Sequence, residues 1–193
     1  MVTIAPDGDS QTRRAVFLDR DGVLVVPEFR DGRSFAPRTL QTFKIYDDAQ
    51  SALYALKKAG FLLVVVTNQP DIGNGLVGPA VVELMHNKLR DALPIDRIEL
   101  CPHSRDVNCT CRKPKPGMLL NAAAALGIDL SASVMVGDRA TDVEAGQAVG
   151  CRTIFIDLNY EREPRPDADW VARSVSEAAN IILTEISDGG ALQ

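Results

Sequence analysis

The chain has 193 residues, 46% hydrophobic and 24% charged, values that suit one globular domain with a substantial core and exclude a disordered chain. Its net charge of −5 argues against a general nucleic-acid or membrane-surface binder, so an anionic ligand would have to be held by local cations. Residues Met1–Arg14 lack the apolar stretch of a signal peptide, and the strongly apolar run Phe61–Val66 is far too short to span a bilayer, so a cytoplasmic location is expected.

In chain order, Ala15–Leu18 reads as a buried strand with Asp19 at its tip. Residues 23–46 mix Pro, Gly and charge and predict an irregular loop or small flap. Asp47 or Asp48 is placed to cap a helix that runs to Ala59 and stops at Gly60, with Ala49, Leu53 and Leu56 on one face. Phe61–Val66 is a second strand tipped by Thr67, followed by a Gly-rich loop over Asn68–Gly78. A helix then runs from Pro79 to Leu93 and a strand from Arg97 to Leu100. Cys101–Lys115 has no periodicity. Helices are expected at Pro116–Leu126, Thr141–Val149 and Ser174–Leu183, and strands at Ser133–Val136, Arg152–Ile156 and Trp170–Val171. Strands alternating with helices imply a three-layer, doubly wound parallel sheet, in which ligands gather at the C-terminal ends of strands. Asp19, Thr67 and Asp138 all fall at such ends.

Asp19-Arg20-Asp21-Gly22 sets two carboxylates two residues apart just past a strand. A carboxylate attacks a negatively charged phosphorus only where a cation offsets the repulsion, and Mg²⁺ takes carboxylate, carbonyl and water oxygens. Asp19 therefore suits a nucleophile and metal ligand, Asp21 a general acid and base, and Gly22 a sharp turn. Thr67 offers a donor and Asn68 a further donor for the substrate, Lys113 an ammonium to neutralise aspartate and phosphate, and Asp138 and Asp142 further carboxylates. Each has a bland alternative: a solvated turn, a strand threonine, a surface lysine, a helix cap. Cys101, His103, Cys109 and Cys111 form two short pairs of soft ligands that suit a closed, structural Zn²⁺ site. Cys151 reads as a core residue, and His86 as a surface or satisfied core histidine.

The ordered set Phe17–Gly22, Val66-Thr67-Asn68, Lys113-Pro114 and Val136-Gly137-Asp138 with Asp142 resembles the four motifs of the haloacid dehalogenase superfamily of phosphatases. The resemblance implies Asp19 as nucleophile, Asp21 as acid and base, and Thr67 and Lys113 as holders of the phosphoryl group. It implies Mg²⁺ on Asp19, the Asp21 carbonyl and Asp138, with Asp142 acting through water. The intervals between motifs leave no room for a large cap domain, so the expected fold is a capless, Rossmann-like one with a zinc-stabilised loop.

Cys101-Pro102-His103 and Cys109-Thr110-Cys111-Arg112-Lys113-Pro114, together with Thr67-Asn68-Gln69, resemble the group of heptose-1,7-bisphosphate 7-phosphatases and histidinol-phosphate phosphatases. By that resemblance Arg112 and Arg139 are candidates for the far end of the substrate. The sequence departs from the group at Pro70-Asp71-Ile72-Gly73-Asn74-Gly75, where Ser-Gly-Ile-Ala-Arg-Gly is usual, and in the segment Val25–Arg38. Pro70 lacks an N–H, Asp71 adds an anion, and an arginine is missing.

The expected function is Mg²⁺-dependent hydrolysis of a small phosphate monoester, with sugar bisphosphate ahead of histidinol phosphate. The alternatives are a receiver domain, a non-catalytic binding protein and a phosphotransferase; the zinc loop, the complete residue set and a wet, capless site favour hydrolysis. The expected organisation is a flexible segment 1–13, one phosphatase domain 14–186 and a flexible tail 187–193, monomeric and without a protein, nucleic-acid or membrane partner.

Overall fold

The computed structural model describes residues 13–30, 33–159 and 165–186; the expectations for residues 1–12 and 187–193 lie outside this range. Six strands form one sheet: β1 (Ala15–Leu18), β4 (Leu62–Asn68), β5 (Arg97–Cys101), β6 (Val134–Gly137), β7 (Arg152–Ile156) and β8 (Trp170–Ala172), in the order β5-β4-β1-β6-β7-β8. Every pairing between them is parallel. The chain builds outward from β1 through β4 to β5, then returns to the other side of β1 and builds outward again through β6. The reversal puts a crevice beyond the C-terminal end of β1, where Asp19 lies.

Both faces of the sheet are covered, which is why its strands read as continuous apolar runs. Val16 and Leu18 of β1 face a core shared with α1 (Ala49–Lys58), α3 (Pro79–Ala92) and α6 (Val175–Ile181), whereas Ala15 and Phe17 face α4 (Gly117–Leu126) and Ala145 of α5 (Ala140–Gln147). Helix α1 buries Ala49, Ala52, Leu53 and Leu56 at helical spacing. Each such large aliphatic contributes about 1.5–3 kcal/mol of burial. Gly60, at φ 88°, then turns the chain into β4, a conformation that side chains with a Cβ resist.

Three features differ from the sequence expectation. Asp48 stands at the cap position of α1 but makes no capping bond. Its carboxylate instead accepts from the backbone N–H of Ser176 in α6, so it joins two helices. The loop after β4 contains a short helix, α2 (Pro70–Gly73), opened by the proline and tied down by Gly73 N–H donating to Pro102 O at 2.9 Å. The flap contains a two-stranded antiparallel ribbon of β2 (Glu28–Arg30) and β3 (Arg33–Phe35). No helix among the described residues is long and apolar enough to cross a membrane.

Candidate active site

Asp19 leaves the sheet with its backbone N–H donating to Val136 O of β6 at 2.9 Å, so two strand ends fix its position. Its Oδ1 accepts from the Arg20 N–H at 2.7 Å and forms an ion pair with Lys113 Nζ at 3.0 Å. Lys113 is buried and its ammonium also meets Val66 O at 2.7 Å and Asp142 Oδ1 at 2.6 Å. One hydrogen bond to a carbonyl and two ion pairs to carboxylates surround the ammonium, a three-point tripod that holds it charged. Burial alone would lower its pKa, but the Asp142 and Asp19 charges outweigh burial and raise it. Asp142 pays for its burial with a pKa pushed up to about 6, although Lys113 opposes the rise.

Lys113 is aimed by its backbone as well. Asn68 at the end of β4 donates from Nδ2 to Lys113 O and accepts at Oδ1 from Lys113 N, both at 3.1 Å. Sequence reasoning offered Asn68 as a substrate donor; the residue lines the site's cavity, and its amide also grips the main chain of the lysine. The Lys113–Pro114 peptide is cis.

Asp21 lines the same cavity and is held by other partners. Its carboxylate receives Arg20 Nε at 3.2 and 3.1 Å and Arg20 Nη2 at 3.0 Å, and Gln69 Nε2 at 2.7 Å. The same Gln69 amide donates to Thr67 Oγ1 at 2.8 Å, so Thr67 and Asp21 share one anchor. Burial raises the Asp21 pKa; Arg20 opposes that rise and the neighbouring Asp19 adds to it. A carboxyl kept above its usual range is suited to donate a proton.

Around these groups lies an open cavity of about 560 Å³, lined among others by Asp19, Asp21, Asn68, Lys113 and Asp142. Arg112 and Arg139 line it too, as do Arg105 and Asp71. Arg139 is steadied by Ser34 of β3, donating to its carbonyl at 3.0 Å and its hydroxyl at 2.6 Å, so the flap supplies part of the wall. Arg112 donates to His103 O at 3.4 Å. Asp71 does not add an unbalanced anion, because Arg38 pairs with its Oδ2 at 2.6 Å. Sequence reasoning missed Arg38 and Arg105; a lone arginine in an aperiodic loop carries no signal of where it points. It also left His86 open: the side chain is buried, against Arg20.

Two donor sets could hold metal ions. Asp19, Asp138 and Asp142 bring carboxylate oxygens within 4.8 Å of one another, a hard set that fits Mg²⁺. The space at Asp138 is close-fitted: a Cβ on Gly22, where φ is 95°, would fall 2.2 Å from Asp138 Oδ2. The Asp142 carboxylate stands in this set directly, and the Asp21 carboxylate does not. Cys101, His103, Cys109 and Cys111 likewise lie with ligand atoms within 4.8 Å. Cys101 and Cys109 sulfurs are 3.7 Å apart, and His103 Nδ1 is 3.5 Å and 3.3 Å from the sulfurs of Cys101 and Cys111. A tetrahedron of Zn–S bonds has edges of about 3.8 Å, whereas a disulfide would need about 2 Å, so the donors fit zinc. Cys151 is buried apart from them, its thiol pushed up to about 12 by burial.

Comparison with known proteins agrees with this geometry. Residues 110–178 match the HAD-hydrolase-like family model. The D-glycero-beta-D-manno-heptose-1,7-bisphosphate 7-phosphatase of Pseudomonas aeruginosa is 37% identical over 181 residues, covering 89% of this chain and 99% of the relative. The enzyme of the same name from Escherichia coli is 37% identical over 184 residues, covering 87% and 93%. Among solved structures, the D,D-heptose 1,7-bisphosphate phosphatase of B. bronchiseptica, complexed with magnesium and phosphate, superposes with a TM-score of 0.77 at 28% identity, over 89% of this chain and 99% of that one. With a tripod lysine joining two aspartates at the crevice of a parallel sheet, and with relatives alike along nearly their whole length, the chain belongs to the haloacid-dehalogenase-like hydrolases, among their phosphatases.

Proposed function

We propose that the chain removes the 7-phosphate of D-glycero-D-manno-heptose 1,7-bisphosphate through a phospho-aspartate on Asp19. The observation that carries the reading is the Lys113 tripod, because it leaves one oxygen of Asp19 for chemistry. Oδ1 is committed to Lys113 and the Arg20 N–H, so Oδ2 is the nucleophile. It attacks phosphorus, the bond from phosphorus to the bridging oxygen breaks, and the departing alkoxide takes the proton of Asp21. Asp21, now ionised, removes a proton from water as that water attacks the acyl phosphate, which frees Asp19 and inorganic phosphate. Thr67 and Lys113 hold the phosphoryl oxygens.

Asp19, Asp138 and Asp142, with the Asp21 carbonyl, would hold Mg²⁺, which when bound offsets the charge between aspartate and phosphate. Cys101, His103, Cys109 and Cys111 would hold a structural Zn²⁺ two residues before Lys113. Arg112 and Arg139 would grip the second phosphate. In this reading residues 14–186 form one domain, acting as a cytoplasmic monomer on a small-molecule substrate.

The test is phosphate release, with and without Mg²⁺, from both anomers of heptose 1,7-bisphosphate, hexose bisphosphates and histidinol phosphate. Release from the heptose bisphosphate that disappears in Asp19→Asn is the expected result. Release only from another member would reject the substrate, and release that survives Asp19→Asn would reject the mechanism.

A further inference from the structure

Arg20 is wholly buried, and His86, from the middle of α3, is 2% exposed. A buried guanidinium needs its charge balanced. One edge of Arg20 grips the Asp21 carboxylate as a fork-shaped ion pair: Nε donates to both carboxylate oxygens, and Nη2 lies 3.0 Å from Oδ2 without a hydrogen bond of its own. Nη1 points the other way and meets His86 Nε2 at 3.2 Å. Arg20 cannot accept a hydrogen bond, so Nε2 is the acceptor and the imidazole is neutral, with its proton on Nδ1 toward Glu83 Oε2 at 3.8 Å. The Phe43 ring lies 5.5 Å from the guanidinium carbon and is itself buried. Ring, imidazole and carboxylate therefore fix the guanidinium on three sides.

From this chain of contacts we propose that His86 is a positioning residue for proton transfer, holding Arg20 so that its fork sets the direction of the Asp21 carboxyl. It touches neither substrate nor metal ligands. The inference rests on the reading of Asp21 as the acid that protonates the leaving oxygen. Simple charge balance for Arg20 does not require His86, because Asp21 supplies the anion. What His86 adds is a third fixed contact, and a fork held at both ends cannot swing.

A leaving-group comparison separates positioning from mere folding. Values of kcat/KM report the first chemical step, in which p-nitrophenolate departs with little need of a proton and phenolate departs with much need of one. His86→Leu removes the acceptor; His86→Gln keeps one. In His86→Leu the ratio of kcat/KM for p-nitrophenyl phosphate over phenyl phosphate should rise roughly ten-fold, a fraction of what general acids typically contribute, and His86→Gln should bring it most of the way back. Asp21→Asn should raise the ratio further. Equal losses on both esters in His86→Leu, with a raised ratio in Asp21→Asn, overturn the inference alone. No change of ratio in Asp21→Asn overturns the reading beneath it, and the inference with it. Should His86→Leu not fold, Arg20→Lys makes the same comparison, since a lysine cannot form the fork; an unchanged ratio there rejects the positioning role.

Discussion

Replacing Lys113 by Met keeps the length of the buried stem and deletes the charge, which isolates what the ammonium does. Asp19 Oδ1 and Asp142 Oδ1 then lose a partner at 3.0 Å and 2.6 Å inside a site where Lys113 is 2% exposed. Removing one member of a buried ion pair typically costs about 3–5 kcal/mol, because the partner charge stays behind. Here the penalty has an escape route. Asp142 already has a pKa pushed up to about 6, by burial first and by the Asp19 charge, with Lys113 opposing both. Without Lys113 it rises further, and a proton neutralises it. An acid whose folded pKa exceeds its unfolded one gains relative stability as pH falls through the folded value. The destabilisation of Lys113→Met should therefore be about 3–5 kcal/mol at pH 8 and smaller at pH 5.5, measured by urea unfolding without added Mg²⁺. Phosphate release should fall by at least roughly 10²-fold at both pH values. A loss under about 1 kcal/mol at pH 8, or a loss that grows on acidification, would refute the tripod as the source of the effect.

Three further outcomes follow from other contacts. Cys111→Ser should abolish stoichiometric zinc by elemental analysis and lower kcat/KM, because Arg112 and Lys113 follow the ligand directly; full zinc in the variant would remove Cys111 from the site. Arg38→Ala should leave the Asp71 carboxylate uncompensated beside the cavity and raise KM several-fold for phosphorylated substrates, a defect that a second change, Asp71→Asn, relieves. His86 has its pKa lowered to about 4 by burial first and then by Arg20, with Glu83 opposing and Arg90 reinforcing. Between the ordinary value near 6.5 and about 4 the unfolded chain takes a proton that the fold refuses. Stability should fall by up to about 1.4 kcal/mol per pH unit as pH drops through that window, and His86→Gln should flatten the slope in urea titrations.

The sequence carried the layered sheet because the inner strands β1, β4 and β6 are apolar on both sides, and α1 and α4 run into Gly60 and Gly127. It carried Asp19, Thr67 and Asp138 for the same reason: a polar residue that interrupts an apolar run marks the strand tip. The Cys–His cluster was legible through composition, since three thiols and an imidazole in one aperiodic stretch have few other uses, whereas Lys113 stood out from a surface lysine only through its place among the motifs. What stayed hidden depends on angles that no local pattern encodes. Asn68 looked like a substrate donor, and only the approach of the loop after β5 turns its amide onto Lys113. The meeting of Arg20 with His86 depends on how α3 rotates against the sheet, and that of Arg38 with Asp71 on how the flap folds over α2. Asp48 fits the sequence rule for a cap, yet its carboxylate found a better donor in a helix far along the chain.

The stretch between His103 and Cys109 hangs between two fixed posts. At one end Gly73 is close-packed on it, leaving no space for a Cβ: such an atom would stand 2.6 Å from Ser104 N. Past the other end, four residues beyond Cys109, the Asn68 amide anchors Lys113 to the sheet. Mutation within the span, including at Arg105 on the cavity wall, can thus redraw the mouth of the pocket without moving the buried lysine beside Asp19. Such an arrangement separates the variable rim of the cavity from the fixed charges at its floor, and lets the two change independently.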